Sequence, residues 1–439
     1  MTRKQPPDTN RQLVREGNAQ QSAATPGPDD LKPLQLFFLA GAVFSVSAGY
    51  GALLPLLPAW LSQQVPGSSG AEIARQVGFL SGAYTAGVLI GAPFWGLISD
   101  RLGRPRMLVV GLIGYVASLL LLLPTMETLW AIYLLRGAAG IFMAAVVPMV
   151  PALVAAHTPK ALRARRFAWM GAASLLGFLF GPGLNAIAGI LATLFGNGVA
   201  LAPLSARIVI LLSAILSATM MLGLSATLPG HEHPQVSVDA VPDAQNRIGV
   251  VALWWLSAAI MFVLSGFEIG IVVHGGLQTD LSTQEVALMF AQCSLVMLSV
   301  NALLFFTSLL DRVPPRLVIA VGSLIGMAGL ALLALQQSIA AMYLGVTLTS
   351  AGTGLVLPVI AFLAAGAPQR TLGVTMGGLA AAAALGQTLG SATGGWLFGA
   401  MAQRGFGWLM LPLLVTLILL LSRPAWGTAA AALPRAHSQ

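Results

Sequence analysis

Charge is scarce in this sequence. Asp, Glu, Lys and Arg make up 8% of the 439 residues, against roughly a quarter in a soluble protein. Such a chain cannot cover a water-facing surface with charge, so its solvent is lipid. Cysteine is scarcer still. The single Cys293 excludes an intrachain disulfide scheme and any cysteine-built metal site. His-Glu-x-x-His, Gly-x-Ser-x-Gly and the phosphate-cradling Gly-x-x-x-x-Gly-Lys are all missing. No nucleotide-binding loop is therefore expected, and no cofactor; any energy the protein uses is expected to come from an ion gradient. His231 and His233 bracket Glu232 in a middle loop, but this trio does not amount to a metal site.

What is present is apolar. Hydrophobic residues reach 57% and mean hydropathy is +0.84. A bilayer core about 30 Å thick takes about 20 apolar residues per helical span. Twelve stretches meet this test, near 35–60, 78–99, 107–125, 129–157, 167–195, 206–228, 249–273, 286–309, 317–336, 339–365, 371–401 and 406–422. They are numbered spans 1 to 12 below. The runs are continuous, whereas a membrane β-barrel would show ten-residue alternation. The predicted fold class is therefore an all-α polytopic membrane protein. Span 1 is too long for a signal-peptide core and lacks a cleavage signature, so it is kept as a span. Its Pro55 and Pro58 predict a kink.

Orientation follows from Lys and Arg. With the N-terminus inside, 18 of the 22 basic residues fall on the cytoplasmic side. Arg75, Arg207 and Arg404 fall outside, and Arg136 lies within span 4. Both termini are expected in the cytoplasm, in a plasma membrane (the inner membrane in a bacterium). The net charge of +8 is explained by this topology, so no nucleic-acid partner is expected.

The sequence also repeats. "DRLGRPR" at 100 is echoed by "DRVPPR" at 311, "AIYLL" at 131 by "AMYLG" at 341, Pro148 by Pro358, and "GFLFGPGLN" at 177 by "GQTLGSATGG" at 386. The order is kept, and the offset stays between 209 and 211. Two six-helix halves related as parallel repeats describe a transporter with its substrate site between them. The expected layout is a polar tail at 1–33, an N-terminal bundle at 34–228, a linker at 229–248, a C-terminal bundle at 249–424 and a tail at 425–439.

Four charges crowd into "GLISDRLGRPR", residues 96–106, between spans 2 and 3. Gly103 permits the positive φ of a tight turn. Gly96 is expected where span 2 meets a neighbour closely. Asp100 gains from a nearby arginine or a helix N-terminus. The stretch resembles the signature loop of the major facilitator superfamily, Gly-x-x-x-Asp-Arg-x-Gly-Arg-(x)-Arg, through Gly96, Asp100, Arg101, Gly103, Arg104 and Arg106. The resemblance extends over about residues 34–424. It implies the major facilitator fold, two pseudo-symmetric six-helix bundles. It also implies that the loop is a conformational latch whose aspartate meets the start of span 11, near Thr371, in the outward-facing state. A purely topogenic cluster of positive charge is the plain alternative.

Two further motifs narrow the resemblance. Arg136 and Gly140 resemble the Arg-x-x-x-Gly motif of proton-coupled members, although Ala139 stands where the family usually has Gln. A helix-bracing arginine is the alternative. Gly177, Gly181 and Pro182 resemble the Gly-x-x-x-Gly-Pro-x-x-Gly motif of the drug:proton antiporter group, with Asn185 in place of the last glycine. Ordinary small-residue packing is the alternative.

Glu268 is the one carboxylate in the middle or outer part of a predicted span. Intramembrane acids are costly and usually functional. It is expected to take a proton outside and release it inside, with Arg136 as its partner in coupling; a passive acid near the outer mouth is the alternative. Spans 1, 4, 7 and 10 line the cavity in this family. Candidate cavity residues are Tyr50, Met143, Asn185, Trp254, Phe267, Gln292, Asn301 and Gln387. Few fixed polar groups suit amphipathic or cationic, drug-like compounds better than sugars. The expected activity is proton-coupled efflux by alternating access, with small molecules, protons and the bilayer as partners and a monomer as the working unit. Symport, or export of one metabolite such as a siderophore, is the first alternative. An intramembrane enzyme, which would need a paired nucleophile and base, and a non-transporting receptor follow.

Overall fold

In the computed structural model, residues 31–422 are described except 66, 159, 196–200, 228–243, 278, 280, 308–311 and 366–371. Both tails, most of the linker with its His231–Glu232–His233 trio, Thr371 and the side chain of Asp100 lie outside the described residues. No strand occurs among those described.

Each apolar stretch forms a helix. Among the described residues, ten segments are long and apolar enough to cross a membrane. One of them, Thr375–Ser422, holds spans 11 and 12, separated by a 3-10 turn at Ala402–Arg404, where Ala402 takes a φ of 51°, and a short helix at Gly405–Trp408. Span 4 is the exception in length. Sequence reading expects one helix over 129–157, but the helix stops at Leu129–Met143 and resumes at Met149–Ala156. Prolines cause the break. Pro148 and Pro151 have no N–H to give, so the i−4 ladder fails and the chain tightens. Ala145 N bonds Phe142 O at 3.1 Å and Val146 N bonds Met143 O at 2.8 Å. Span 1 bends as expected: Pro33–Leu53 passes through a 3-10 turn at Leu54–Leu56 into Leu57–Gln64.

The packing pattern of one half recurs in the other. Span 1 packs on spans 5 and 6, and span 7 on spans 11 and 12. Span 4 packs on spans 2 and 3, and span 10 on spans 8 and 9. Span 3 meets span 6 as span 9 meets span 12. Between halves, span 2 lies on span 11 and span 5 on span 8. The repeat read from sequence is therefore a repeat of contacts.

Small residues set the closest of these contacts. A Cβ on Gly177 would lie 2.8 Å from Ser47 Cβ, and one on Gly181 would lie 2.7 Å from Gly51 C, so span 5 rides on span 1 with backbones nearly touching. The counterparts behave alike. A Cβ on Gly386 would lie 2.9 Å from Ala258 Cα, and one on Gly390 would lie 2.9 Å from Phe262 Cα. Gly177→Val should thus overpack the span 1–span 5 contact, at a cost of about 1–3 kcal/mol. A lowered unfolding temperature of the detergent-purified protein checks this, against an unchanged value for Gly189→Val, whose surroundings are open.

Candidate functional site between the halves

The site begins with a seal. Spans 2 and 11 meet at the end remote from the 96–106 loop, through Ala71, Ala74, Gly78 and Gly82 on one side and Thr388, Ser391, Ala392, Gly395 and Gly399 on the other. Residues four apart share a helix face, so 74, 78 and 82 form one row and 391, 395 and 399 another. A Cβ on Gly78 would lie 2.6 Å from Ser391 O, and one on Gly395 would lie 2.7 Å from Ala74 O. The halves are thus closed together at this end by main chain against main chain.

Just past the seal, spans 1 and 7 bring two polar side chains together. The Tyr50 hydroxyl donates to Glu268 Oε2 at 3.5 Å, a long hydrogen bond across the two halves. Tyr50 is buried at 8% exposure, and Glu268 is half-buried. The Tyr50 ring packs against Tyr84 of span 2 at 5.2 Å and Phe178 of span 5 at 5.7 Å. The guanidinium of Arg136 lies over the ring of Tyr84, at 4.8 Å from its centroid. Arg136 itself is only 3% exposed. Glu268, Tyr50, Tyr84 and Arg136 therefore form one continuous contact chain from span 7 through spans 1 and 2 to span 4. Gly140, one turn after Arg136, makes this geometry: it lets span 4 press onto the Tyr84 carbonyl oxygen, and a Cβ there would also lie 3.2 Å from Gly87 Cα.

Glu268 also lines a small, partly open pocket with Phe267, Ile271, Met289, Phe290, Cys293 and Val346. Apart from the carboxylate and the Cys293 thiol, these walls are hydrocarbon and aromatic. An acid placed there can exchange a proton or hold a cation, and methionine and phenylalanine give adaptable apolar contact.

A family model for the Major Facilitator Superfamily matches residues 39–305. The chain belongs to the Major Facilitator Superfamily. Its relatives include the class B tetracycline resistance protein of Escherichia coli, 36% identical over 142 residues, 32% of this chain and 34% of that one. The quinolone resistance protein NorA of Staphylococcus aureus is 29% identical over 151 residues, 34% of this chain and 37% of NorA. These matches span about a third of the relatives' length. Two solved structures share the superfamily fold. The human organic anion transporter MFSD10 (TETRAN) aligns with a TM-score of 0.68 at 18% identity, over 89% of this chain and 100% of that one. The xylose transporter XylE from E. coli, in a partially occluded inward-open conformation, aligns at 0.67 and 15% identity, over 89% and 99%.

Within this superfamily fold, the signature loop takes the shape its glycine predicts. Gly103 has φ 89° and ends span 2, and Pro105 is buried as span 3 begins. Arg101 and Arg106 are exposed, and Arg104 is half-buried. Gly96 is a correction. It is exposed, and among the described residues a Cβ there would meet nothing within 4 Å, so it makes no close helix contact with them. Span 2 makes its close approaches earlier, at Gly87 and Gly91 against the backbone of Gly137 and Ile141. The expected meeting of Asp100 with Thr371 lies outside the described residues.

Of the eight cavity candidates, the structure gathers Tyr50 and Phe267 around Glu268. Others are engaged elsewhere. Trp254 donates to Thr375 O at 3.2 Å and lies over Gly378, bracing span 7 on span 11. Gln292 clamps span 8 to span 10 through Tyr343 O at 3.1 Å and Thr347 Oγ1 at 2.6 Å. Asn301 bonds Met297 O one turn back in its own helix, and Gln387 contacts Met261 Sδ at 3.7 Å. Met143 is half-buried at the break in span 4. Asn185 is buried with Nδ2 unpartnered. Sequence reasoning missed Tyr84 and Phe178. The available signal was the scarcity of tyrosine, with five in the chain, two of them in the first two spans.

Proposed function

We propose that this protein exports amphipathic, drug-like small molecules in exchange for protons, by alternating access, with both termini cytoplasmic. One observation carries the reading: the intramembrane acid, Glu268, is bonded to Tyr50 of the opposite half. A carboxylate at that junction links its own protonation to the relative position of the halves, because the ionised and neutral acids accept and donate differently. Glu268 takes up a proton while its side of the pathway faces out and releases it inward. The apolar walls beside it favour greasy substrates over polyhydroxylated ones. Partial similarity to two drug resistance proteins supports the direction and the substrate class. In this reading the structure is closed outward, since the seal lies at the end opposite the Arg-rich loop. The signature loop acts as the latch of the outward-facing state through Asp100, and Arg136 is the coupling partner at the far end of the tyrosine pair.

The test uses the full chain in proteoliposomes. An imposed pH gradient, acid on the outward face, should accelerate loss of an amphipathic fluorescent compound from the opposite compartment at least several-fold, and an ionophore that collapses the gradient should abolish this. Flux indifferent to the gradient would sink the reading.

A further inference from the structure

Arg136 presents a difficulty that the coupling role leaves unsolved. Its side chain is buried in the middle of a bundle. Its Nε and Nη2 have no hydrogen-bond partner. Among the described residues no carboxylate pairs with it; Glu268 reaches Tyr50, two rings away. The guanidinium rests instead on the face of Tyr84. A ring face offsets only a small part of what it costs to desolvate a cation that cannot lose its proton. The Tyr84 hydroxyl beside it is also buried and unpartnered. Two sets of donors, one permanently charged, thus lie unsatisfied in one arginine–tyrosine contact. The guanidinium fork matches a planar, two-oxygen acid better than any other common group.

We propose that Arg136, with the Tyr84 hydroxyl, forms an anion subsite of the central pathway that takes a carboxylate carried by an amphipathic substrate. The proposal rests on the transport reading and narrows its substrate class. It places the site on the N-terminal half. When the halves part, Glu268 leaves with the C-terminal half, and the Tyr50–Tyr84–Arg136 stack becomes a wall of the pathway. A substrate with an aromatic body would then lie against the two tyrosine rings with its acid on the fork, while the Glu268 wall offers apolar contact to the rest. In this view the arginine is a substrate-binding residue, and the absence of a fixed counter-ion among the described residues is what leaves it able to accept one.

The test is direct binding, without transport. Detergent-purified full-length protein is titrated calorimetrically with 1-naphthylacetate and, separately, with its uncharged amide. The wild type should bind the acid at least tenfold tighter than the amide. Arg136→Gln should remove that preference, and Arg136→Lys should keep part of it, because a point charge replaces the fork. Tyr84→Phe should weaken the acid alone, a change that a general loss of packing would not produce. Melting temperature and elution volume identify any variant that has failed to fold, and Tyr84→Phe then carries the comparison. Equal binding of acid and amide by the wild type, including no binding of either, overturns the proposal, as does a preference that survives Arg136→Gln. Glu268→Gln separates the two readings: it should keep the acid-over-amide preference even where pH-driven flux is lost.

Discussion

Glu268→Gln should reduce pH-gradient-driven efflux by about 10²-fold or more, the scale on which a positioned proton-transfer group acts. Glutamine keeps the size and a carbonyl acceptor for the Tyr50 hydroxyl, now 3.5 Å away, but it cannot cycle a proton. Substrate-for-substrate exchange, which needs no net proton movement, should persist at near wild-type rate. This contrast separates loss of coupling from loss of the carrier. Tyr50→Phe should fall between the two. It removes the interhalf hydrogen bond but leaves the acid and its apolar surroundings, so driven efflux should drop about tenfold, in line with the loss of one hydrogen bond to a charged group. Parallel vesicle assays of driven efflux and exchange check both. Wild-type driven efflux by Glu268→Gln would remove the residue from coupling while leaving the fold untouched.

The second large effect is expected at the seal. A Cβ on Gly395 would lie 2.6 Å from Gly78 Cα and 2.7 Å from Ala74 O. These are backbone atoms and cannot rotate away, unlike the end of a flexible side chain. Gly395→Val should therefore disfavour the sealed state by about 1–3 kcal/mol, roughly a five- to hundredfold shift in population. Transport should stop or slow by a similar factor, because a carrier that cannot close one end cannot complete a cycle. Spin labels on exposed Arg75 and Arg404, in a Cys293→Ser background, report the separation of spans 2 and 11 at that end. The variant should show a longer distance than the parent, with an unchanged helical content. An unaltered distance distribution would mean that the contact bears no load in the cycle.

Much of this architecture could be read from composition. The twelve apolar stretches, the offset of 209 to 211 and the proline kink in span 1 are local or periodic signals, and such signals survive in a linear string. The small-residue patterns at Gly177–Gly181 and Gly386–Gly390 were equally legible, because close helix contact has few other solutions. Side-chain company was not. Their place in spans 7 and 8 suggests Trp254 and Gln292 as cavity residues, yet their polar tips satisfy backbone carbonyls of neighbouring spans. Which partner satisfies a buried donor is decided by helix rotation. In a segment apolar all round, as spans 8 and 10 nearly are, the sequence barely records rotation. Gly96 misled for a related reason. A motif glycine signals close approach in some conformation, and here its neighbourhood is open. The Tyr50–Tyr84–Arg136 stack joins three different spans and has no local signature at all.

The seal between spans 2 and 11 is made of residues that carry no charge. Its strength is then independent of ionic strength, since there is nothing at the joint for counter-ions to screen. In the proposed transport cycle the joint closes by backbone contact alone and uses no group of the cargo. One closing device of this kind can serve many different passengers, and the burden of telling them apart passes entirely to the chamber beneath.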